Sequence, residues 1–115
     1  MPKEKIYISG AIEHYDLAER QKAFKNAEDY IRKEIGAEPV NPFNNGLPAD
    51  AHWREHMRAD IRLLMDCDWI FMLPGWQLSK GAKLEFDVAT SCGIKVYGIA
   101  NTAEEAVEQS SYPFH

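Results

Sequence analysis

Residues 68–73, DWIFML, form an unbroken apolar run of strand length, and this run restricts the fold more than any other segment of the chain. A strand that faces water on one side alternates apolar and polar residues, whereas a strand of a parallel sheet is covered by helices on both faces and is apolar throughout. The run therefore predicts a central strand of a parallel sheet. Successive strands of such a sheet are joined by crossover segments, which are usually helices.

The rest of the chain alternates between strands and helices as this sheet requires. Turn residues and apolar spacing predict three further strands and three helices, at 5–9, 37–42 and 95–100 and at 16–35, 51–66 and 79–93. Gly36 and Gly93 stand where the first and third helices should end, and Thr102 with Glu105 forms a capping box for a last short helix. Pro39 cannot donate to a ladder, which places the second strand at an edge. The first helix should bury Leu17, Phe24, Ala27, Ile31 and Ile35.

These elements predict a single α/β domain over residues 1–115, a flavodoxin-like or Rossmann-like three-layer sandwich with helices on both faces of the sheet. Its 115 residues, 45% of them apolar and 27% charged, suit one globular domain. The simplest sheet has four to five strands in the order 2-1-3-4, so its winding reverses between strands one and three. Ligands bind outside the carboxyl ends of the strands at such a point, where Ser9 and Gly10 should face residues 74–79.

Charge and cysteine content narrow the classes of partner. The formal net charge of -5 argues against binding of a nucleic acid polymer or an anionic membrane, and favours a small-molecule partner. Cys67 and Cys92 are spaced unlike zinc or redox motifs, and their apolar surroundings predict buried free thiols. The first ten residues are too polar for a signal peptide, and nothing approaches the ~20 apolar residues of a membrane span. We therefore expect a cytoplasmic protein.

Two carboxylates fall on the apolar faces of their predicted helices. Glu85 lies in the middle of the apolar arc of the third helix, and Asp60 lies within that of the second helix. An ionised carboxylate in an apolar setting costs several kcal/mol unless it is paired, so such residues mark either a functional site or an internal ion pair. Taken alone, either residue could pair with a Lys, Arg or His side chain, or could lie where the helix face meets water at the edge of the sheet. The two together, near the expected crevice, favour a site.

The loop before the third helix supplies candidate binding groups. Ser79 is a good N-cap, and the same residue with the backbone N–H groups around Gly81 would suit an anion such as phosphate. Three tryptophans could stack on a base. Trp53 and Trp69 fit the core pattern, whereas Trp76 lies in the loop and is the one expected near a ligand.

Four segments resemble the nucleoside 2-deoxyribosyltransferase-like superfamily, which includes the 2-deoxynucleoside 5-monophosphate N-glycosidases, and within it a short bacterial and phage branch. The segments are YISGAI (7–12), VNPF (40–43), WREHMRADIRLLMDCDWIFMLPGW (53–76) and SKGAKLEFDVATSCG (79–93). The resemblance implies that Glu85 is a nucleophile and that Asp60 assists departure of the base. It also implies substrate binding by Tyr7, Ser9, Gly10, Asn41, Phe43 and Ser79. A homodimer or higher homo-oligomer without metal or organic cofactor is implied as well.

The resemblance predicts cleavage or transfer of the N-glycosidic bond of a 2-deoxynucleoside or its 5-monophosphate. A carboxylate stabilises the oxocarbenium charge and forms a covalent glycosyl-enzyme while an acid protonates the base, and retaining enzymes hold the pair roughly 5 Å apart. The alternative is a non-catalytic nucleotide-binding or sensor protein of the same fold.

A metal site on the second helix is a further alternative. His52, His56 and Asp60 are spaced i, i+4, i+8 on one side of that helix. The outer two lie about 12 Å apart along the axis, too far for one ion to bind all three. His56 with Asp60 remains an option, as does a simple hydrogen-bonding role for His56 toward Asp60 or the crevice.

Overall fold

A computed structural model describes residues 3–98 and contains one parallel sheet. Its strands are β1 (Lys5–Ser9), β2 (Glu38–Val40), β3 (Trp69–Met72) and β4 (Lys95–Gly98). They lie in the order β2-β1-β3-β4, which confirms the predicted order and places the apolar run at residues 69–72 inside the sheet. In the register, Tyr7 is opposite Val40 on one side and Ile70 on the other. Winding thus reverses between β1 and β3, as expected.

Three helices connect and cover these strands. They are α1 (Leu17–Tyr30), α2 (Trp53–Met65) and α3 (Lys80–Ser91). A π-helical turn over Ile31–Ile35 prolongs α1 up to Gly36, whose φ of 79° is the left-handed conformation in which helices commonly end. Short 3-10 turns occupy Pro42–Asn44 and Trp76–Leu78.

Alternation along β1 divides the core into two layers. Ile6 and Ile8 pack with Phe24 and Ile31 on the side that α1 covers. The side chain between them, Tyr7, packs on the opposite side with residues of α2 and α3, which are Leu64, Ala82, Phe86 and Ala89. Because consecutive side chains of a strand point to opposite faces, β1 contributes to both layers. The predicted three-layer α/β arrangement is thereby confirmed.

Three predicted core positions are wrong. Leu17 and Ile35 are exposed, at 43% and 36%, because they occupy the ends of a helical segment about 28 Å long that extends beyond a five-residue strand about 17 Å long. Cys67 is buried as expected, but Cys92 is exposed. Cys92 is the C-cap of α3, where the chain leaves the helix, so its side chain does not share the inward face.

Several predictions fall outside the described residues. These are the end of the last strand at residues 99–100, the short helix announced by Thr102 and Glu105, and the unassigned tail at 110–115. Within residues 3–98, no helix combines the length and the apolar content needed to cross a bilayer.

Candidate active site

The start of α3 determines where Glu85 points. Ser79 has extended backbone angles and is the N-cap, and its Oγ accepts a hydrogen bond from the backbone N–H of Ala82 at 3.1 Å. This cap fixes the first turn of the helix, so the helical phase directs Ala82, Glu85 and Phe86 toward the sheet. The N-cap role that the sequence predicts for Ser79 is confirmed.

Glu85 is buried and is held by two hydroxyl groups of β1. The Tyr7 hydroxyl donates to Glu85 Oε2 at 2.6 Å, and the Ser9 hydroxyl donates to Oε1 at 2.7 Å. Tyr7 and Ser9 are two residues apart and therefore project from the same face of the strand. Both are 0% exposed and Glu85 is 5% exposed. The two side chains that the resemblance assigns to substrate thus bind the carboxylate in this structure.

Burial is the main cause of the shifted pKa values of Glu85 and Tyr7. It raises the pKa of Glu85 to about 7, although the hydroxyl groups of Tyr7 and Ser9 favour the ionised form and act in the opposite direction. Burial also raises the pKa of Tyr7 well above its ordinary value, and the nearby Glu85 carboxylate adds to this shift. Tyr7 therefore stays protonated at neutral pH and remains a hydrogen-bond donor to Glu85.

Asp60 is the second inward carboxyl group of the site. It lies on α2 and is 6% exposed, and the side-chain amide of Asn45 donates to its Oδ1 at 2.8 Å. Burial raises the pKa of Asp60 to about 6, against the opposing effects of Asn45 and His56. Its negative charge also raises the pKa of Glu85. The two helices that flank β3 thus bring two electrostatically coupled carboxyl groups to one region, as the helix faces predict.

The histidines of α2 have separate roles. His52 is the N-cap of the helix, and its Nδ1 accepts a hydrogen bond from the backbone N–H of Arg54 at 3.1 Å. His56 lies 3.0 Å from Asn45 Nδ2 through its own Nδ1, so it is linked to Asp60 through Asn45. Across residues 3–98, no three His, Cys, Asp or Glu side chains are grouped so that they could hold a metal ion.

The chain matches a protein family over residues 4–98, a range that includes all four strands and the whole Glu85 and Asp60 cluster. The family is described as a domain of unknown function, DUF4406. The chain belongs to this family. No curated protein matches the chain. The role of the Glu85 and Asp60 cluster in this DUF4406 domain must therefore be inferred from the geometry of the cluster.

Two predicted binding residues of the DUF4406 domain contact α1. Asn41 accepts a hydrogen bond from the backbone N–H of Phe43 at 3.0 Å, and its amide donates to Glu28 at 3.0 Å. The Phe43 ring meets the Phe24 ring edge to face at 5.0 Å. Asn41 and Phe43 therefore fix the turn after β2 against α1, and no contact joins them to Glu85 within the described residues.

Gly10, Gly81 and Trp76 occupy close-packed positions. A Cβ at Gly10 would lie 2.9 Å from Leu73 Cδ1, and one at Gly81 would lie 3.1 Å from Met57 Sδ. The Trp76 ring, expected to lie near a ligand, is 6% exposed and stacks on Phe86 with centroids 4.7 Å apart. Trp76 begins a 3-10 turn that folds back onto the core, so it contributes to packing here.

Two buried or half-buried polar residues were not predicted from the sequence, Asn45 beside Asp60 and Glu28 beside Asn41. Helical spacing could have revealed Glu28, which shares the inward face of α1 with Phe24 and Ala27. Asn45 lies in a loop, and Glu28 is 8% exposed on α1, where it pairs with Lys25 and Arg32 at 3.5 Å. The sequence signal for Asn45 is only its place in the turn-forming run NNG.

A shallow depression of about 410 Å³ lies elsewhere, at the amino ends of β1 and β2. It is lined by Lys3, Lys5, Arg32, Ala37, Glu38 and Pro39. It contains none of the predicted site residues, and ligands of parallel sheets bind at the opposite ends of the strands. We therefore locate the candidate site by its carboxyl groups and not by this depression.

Proposed function

We propose that this DUF4406 domain cleaves or transfers the N-glycosidic bond of a 2-deoxynucleoside or its 5-monophosphate. The observation that carries the proposal is the buried Glu85 carboxylate, which two hydroxyl groups orient and which is electrostatically coupled to Asp60. This reaction requires one carboxylate as nucleophile and one carboxylic acid as proton donor, and different hydrogen-bond partners allow two carboxyl groups to take these separate roles.

Glu85 is suited to the role of nucleophile. Each of its oxygens accepts one hydrogen bond, and an ionised carboxylate offers about four lone-pair sites, so one oxygen keeps a lone pair for C1' of the sugar. The donors Tyr7 and Ser9 lie on a central strand with 0% exposure, which keeps the carboxylate in a fixed orientation. Fixed orientation is a large part of the advantage of an intramolecular attack.

Asp60 is suited to the role of acid and base. In the first step, a Glu85 oxygen forms a bond to C1', the C1'–N bond breaks, and its electron pair leaves with the base, which takes the proton of Asp60. In the second step, Asp60 accepts a proton from water or from an incoming base. That acceptor then bonds to C1' while the ester to Glu85 breaks. Both carboxyl groups return to their starting states.

Intact-protein mass spectrometry tests the proposal. The wild-type protein is incubated with 2-deoxynucleosides, their 5-monophosphates and 2-fluoro analogues, and free base is measured in the same samples. We expect base release and a sugar adduct on Glu85, both lost in Glu85→Ala. Asp87→Asn removes an exposed carboxylate of the same helix and should leave both unchanged. Absence of base and adduct from a wild-type protein that still binds a nucleotide would contradict catalysis and favour the sensor function.

The pH dependence gives a second test. Glu85, with a pKa of about 7, must be ionised, and Asp60, with a pKa of about 6, must be protonated. Activity should therefore fall on the acid side as Glu85 gains a proton and on the alkaline side as Asp60 loses one. We expect a narrow bell-shaped profile of kcat/KM with its maximum between these two values. A rate that falls neither below about pH 6 nor above about pH 7 would contradict the assigned roles.

A further inference from the structure

We propose that Asn45 is a positioning residue for Asp60, which holds one carboxyl oxygen so that the other delivers the proton. This inference rests on the proposed function and adds to it a residue outside the helices that carry the carboxyl groups. Every polar atom of the Asn45 side chain is engaged. Nδ2 donates to Asp60 Oδ1 at 2.8 Å and lies 3.0 Å from His56 Nδ1, while Oδ1 accepts from the backbone N–H of Leu47 at 2.9 Å.

The orientation of the Asn45 amide follows from these contacts. A flipped amide would place its oxygen against the Asp60 carboxyl group and its NH2 against the N–H of Leu47, so the network permits one assignment. Both hydrogens of the NH2 group are then used, one for Asp60 and one for His56. Asn45 can therefore neither rotate nor accept a proton from Asp60, and it acts on Asp60 only as a donor.

His56 anchors the same loop from its other side. With Nδ1 accepting from Asn45, its Nε2 carries the hydrogen and donates to the carbonyl oxygen of Pro48 at 3.1 Å. The loop over residues 45–48 is thus tied to α2 through Asp60 and through both nitrogens of His56, which gives Asn45 a fixed location.

The second oxygen of Asp60 is left open. Oδ2 has no hydrogen-bond partner within residues 3–98. Among these residues, Trp76 Nε1 is the only fully buried side-chain nitrogen or oxygen without a partner, so Oδ2 is not fully buried. Oδ2 therefore keeps contact with solvent, as an oxygen that meets a leaving base must. The hydrogen bond from Asn45 strengthens when Asp60 ionises, so it stabilises the state that follows proton delivery.

The other titratable groups that act on this region are Glu85 on α3, Tyr7 on β1 and His56 on α2. Glu85 repels a negative charge on Asp60 and Tyr7 remains protonated, whereas His56 favours the ionised form of Asp60 and makes no direct hydrogen bond to it. Asn45 is thus the direct hydrogen-bond donor to Asp60 among the described residues, and its removal should change the pKa of Asp60.

A carboxyl ¹³C NMR titration of the substrate-free protein tests the inference without relying on catalysis. Asn45→Ala removes the donor and adds no charge, and should move the Asp60 midpoint upward by about one pH unit, the effect of one hydrogen bond to a charged group. Asn45→Asp keeps an acceptor for the backbone N–H of Leu47 and so preserves the turn, and it should also move the Asp60 midpoint upward. Asn44→Asp places the same charge on an exposed neighbour and serves as the control, with little shift.

Base release supplies the kinetic readout. Asn45→Ala should lower maximal kcat about 10- to 100-fold and move its pH profile upward, in the same direction as the NMR midpoint. Wild-type activity with an unchanged Asp60 midpoint and an unchanged pH profile in both Asn45 variants would overturn the inference. If the wild-type protein releases no base, the proposed function fails and the titration alone decides whether Asn45 controls Asp60. A merely structural role would lower the folded fraction without moving the midpoint.

Discussion

At the scale of single residues, the central feature is a buried carboxylate held by two hydroxyl groups on one strand. Hydroxyl donors suit this position because they stabilise the charge of Glu85 without neutralising it, as a lysine or arginine would. Tyr7 and Ser9 are 0% exposed, so water cannot replace either donor. The balance between burial and these two hydrogen bonds sets the pKa of Glu85 near neutrality.

Removal of one donor should shift this balance measurably. Tyr7→Phe takes away the hydrogen bond at 2.6 Å and keeps the ring in place, so the pKa of Glu85 should rise by about one unit. Because Glu85 must be ionised while Asp60 is protonated, maximal kcat/KM should fall and the alkaline limb of its pH profile should move upward, and Ser9→Ala should act in the same direction. Tyr15→Phe changes a tyrosine that is 48% exposed and should have no such effect. A Glu85 midpoint that stays in place in Tyr7→Phe would contradict the role of this hydrogen bond.

At the scale of elements, two glycines show how closely the site is packed. Gly10 follows β1 directly, and a Cβ there would lie 2.9 Å from Leu73 Cδ1 and 3.0 Å from Leu73 Cβ. Leu73 Cβ cannot move without its backbone. A Cβ at Gly81 would meet the sulfur of Met57 at 3.1 Å, which is near the end of a flexible side chain. The ends of β1 and β3 are thus rigidly spaced, whereas α2 and α3 meet through an adjustable contact.

These two positions should respond differently to the same substitution. Gly10→Ala should destabilise the protein by about 1–3 kcal/mol, because it overpacks the space beside Leu73. Gly81→Ala should change stability by less than about 1 kcal/mol, since Met57 can move aside and alanine favours the helix. Urea unfolding of both variants at one pH measures the difference. Equal losses would show that the contact with Met57 is as rigid as the contact with Leu73.

At the scale of the whole molecule, the buried carboxyl groups cost stability. The pKa of Glu85 is raised from 4.5 to about 7 on folding, so below pH 4.5 the group is protonated in both states and costs nothing. As pH rises toward about 7, the folded state keeps a proton that the unfolded state has lost, and stability falls. The loss is complete above that value and amounts to about 3 kcal/mol. Asp60 acts in the same direction between 3.8 and about 6.

Neutralising Glu85 should therefore stabilise the protein at alkaline pH. Glu85→Gln keeps an acceptor for one hydroxyl, and the other can turn to accept from the new NH2 group. We expect the free energy of unfolding to exceed that of the wild type by about 1–3 kcal/mol above pH 8, and the advantage to vanish near pH 5. Urea unfolding at both pH values measures this. A difference in the free energy of unfolding that does not depend on pH would show that folding does not raise the pKa of Glu85.

Much of the fold could be predicted because it depends on local patterns. The apolar run at 68–73 identifies a strand covered on both faces, and Pro39 identifies an edge strand. Helical spacing also places Glu85 and Asp60 inward, since the faces of a helix follow from sequence positions alone. The predicted burial of Leu17 and Ile35 is wrong because the same spacing does not reveal where a helix extends past the sheet.

The partners within the site could not be predicted because they depend on contacts between distant residues. Tyr7 and Ser9 lie 78 and 76 positions from Glu85, and the packing of α3 over β1 brings them together. Asn45 lies in a loop, where no periodicity indicates direction, and its link to Asp60 depends on how that loop folds back onto α2.

The sequence by itself determined the order of the strands, the caps of the helices and the inward direction of the two carboxyl groups. These properties rest on backbone geometry and on the period of each element. The tertiary structure alone decided that two hydroxyl groups hold Glu85, that Asn45 holds Asp60, and that Trp76 belongs to the core. Desolvation and hydrogen bonding depend on everything that surrounds a group in three dimensions, and that environment is assembled only when the elements pack.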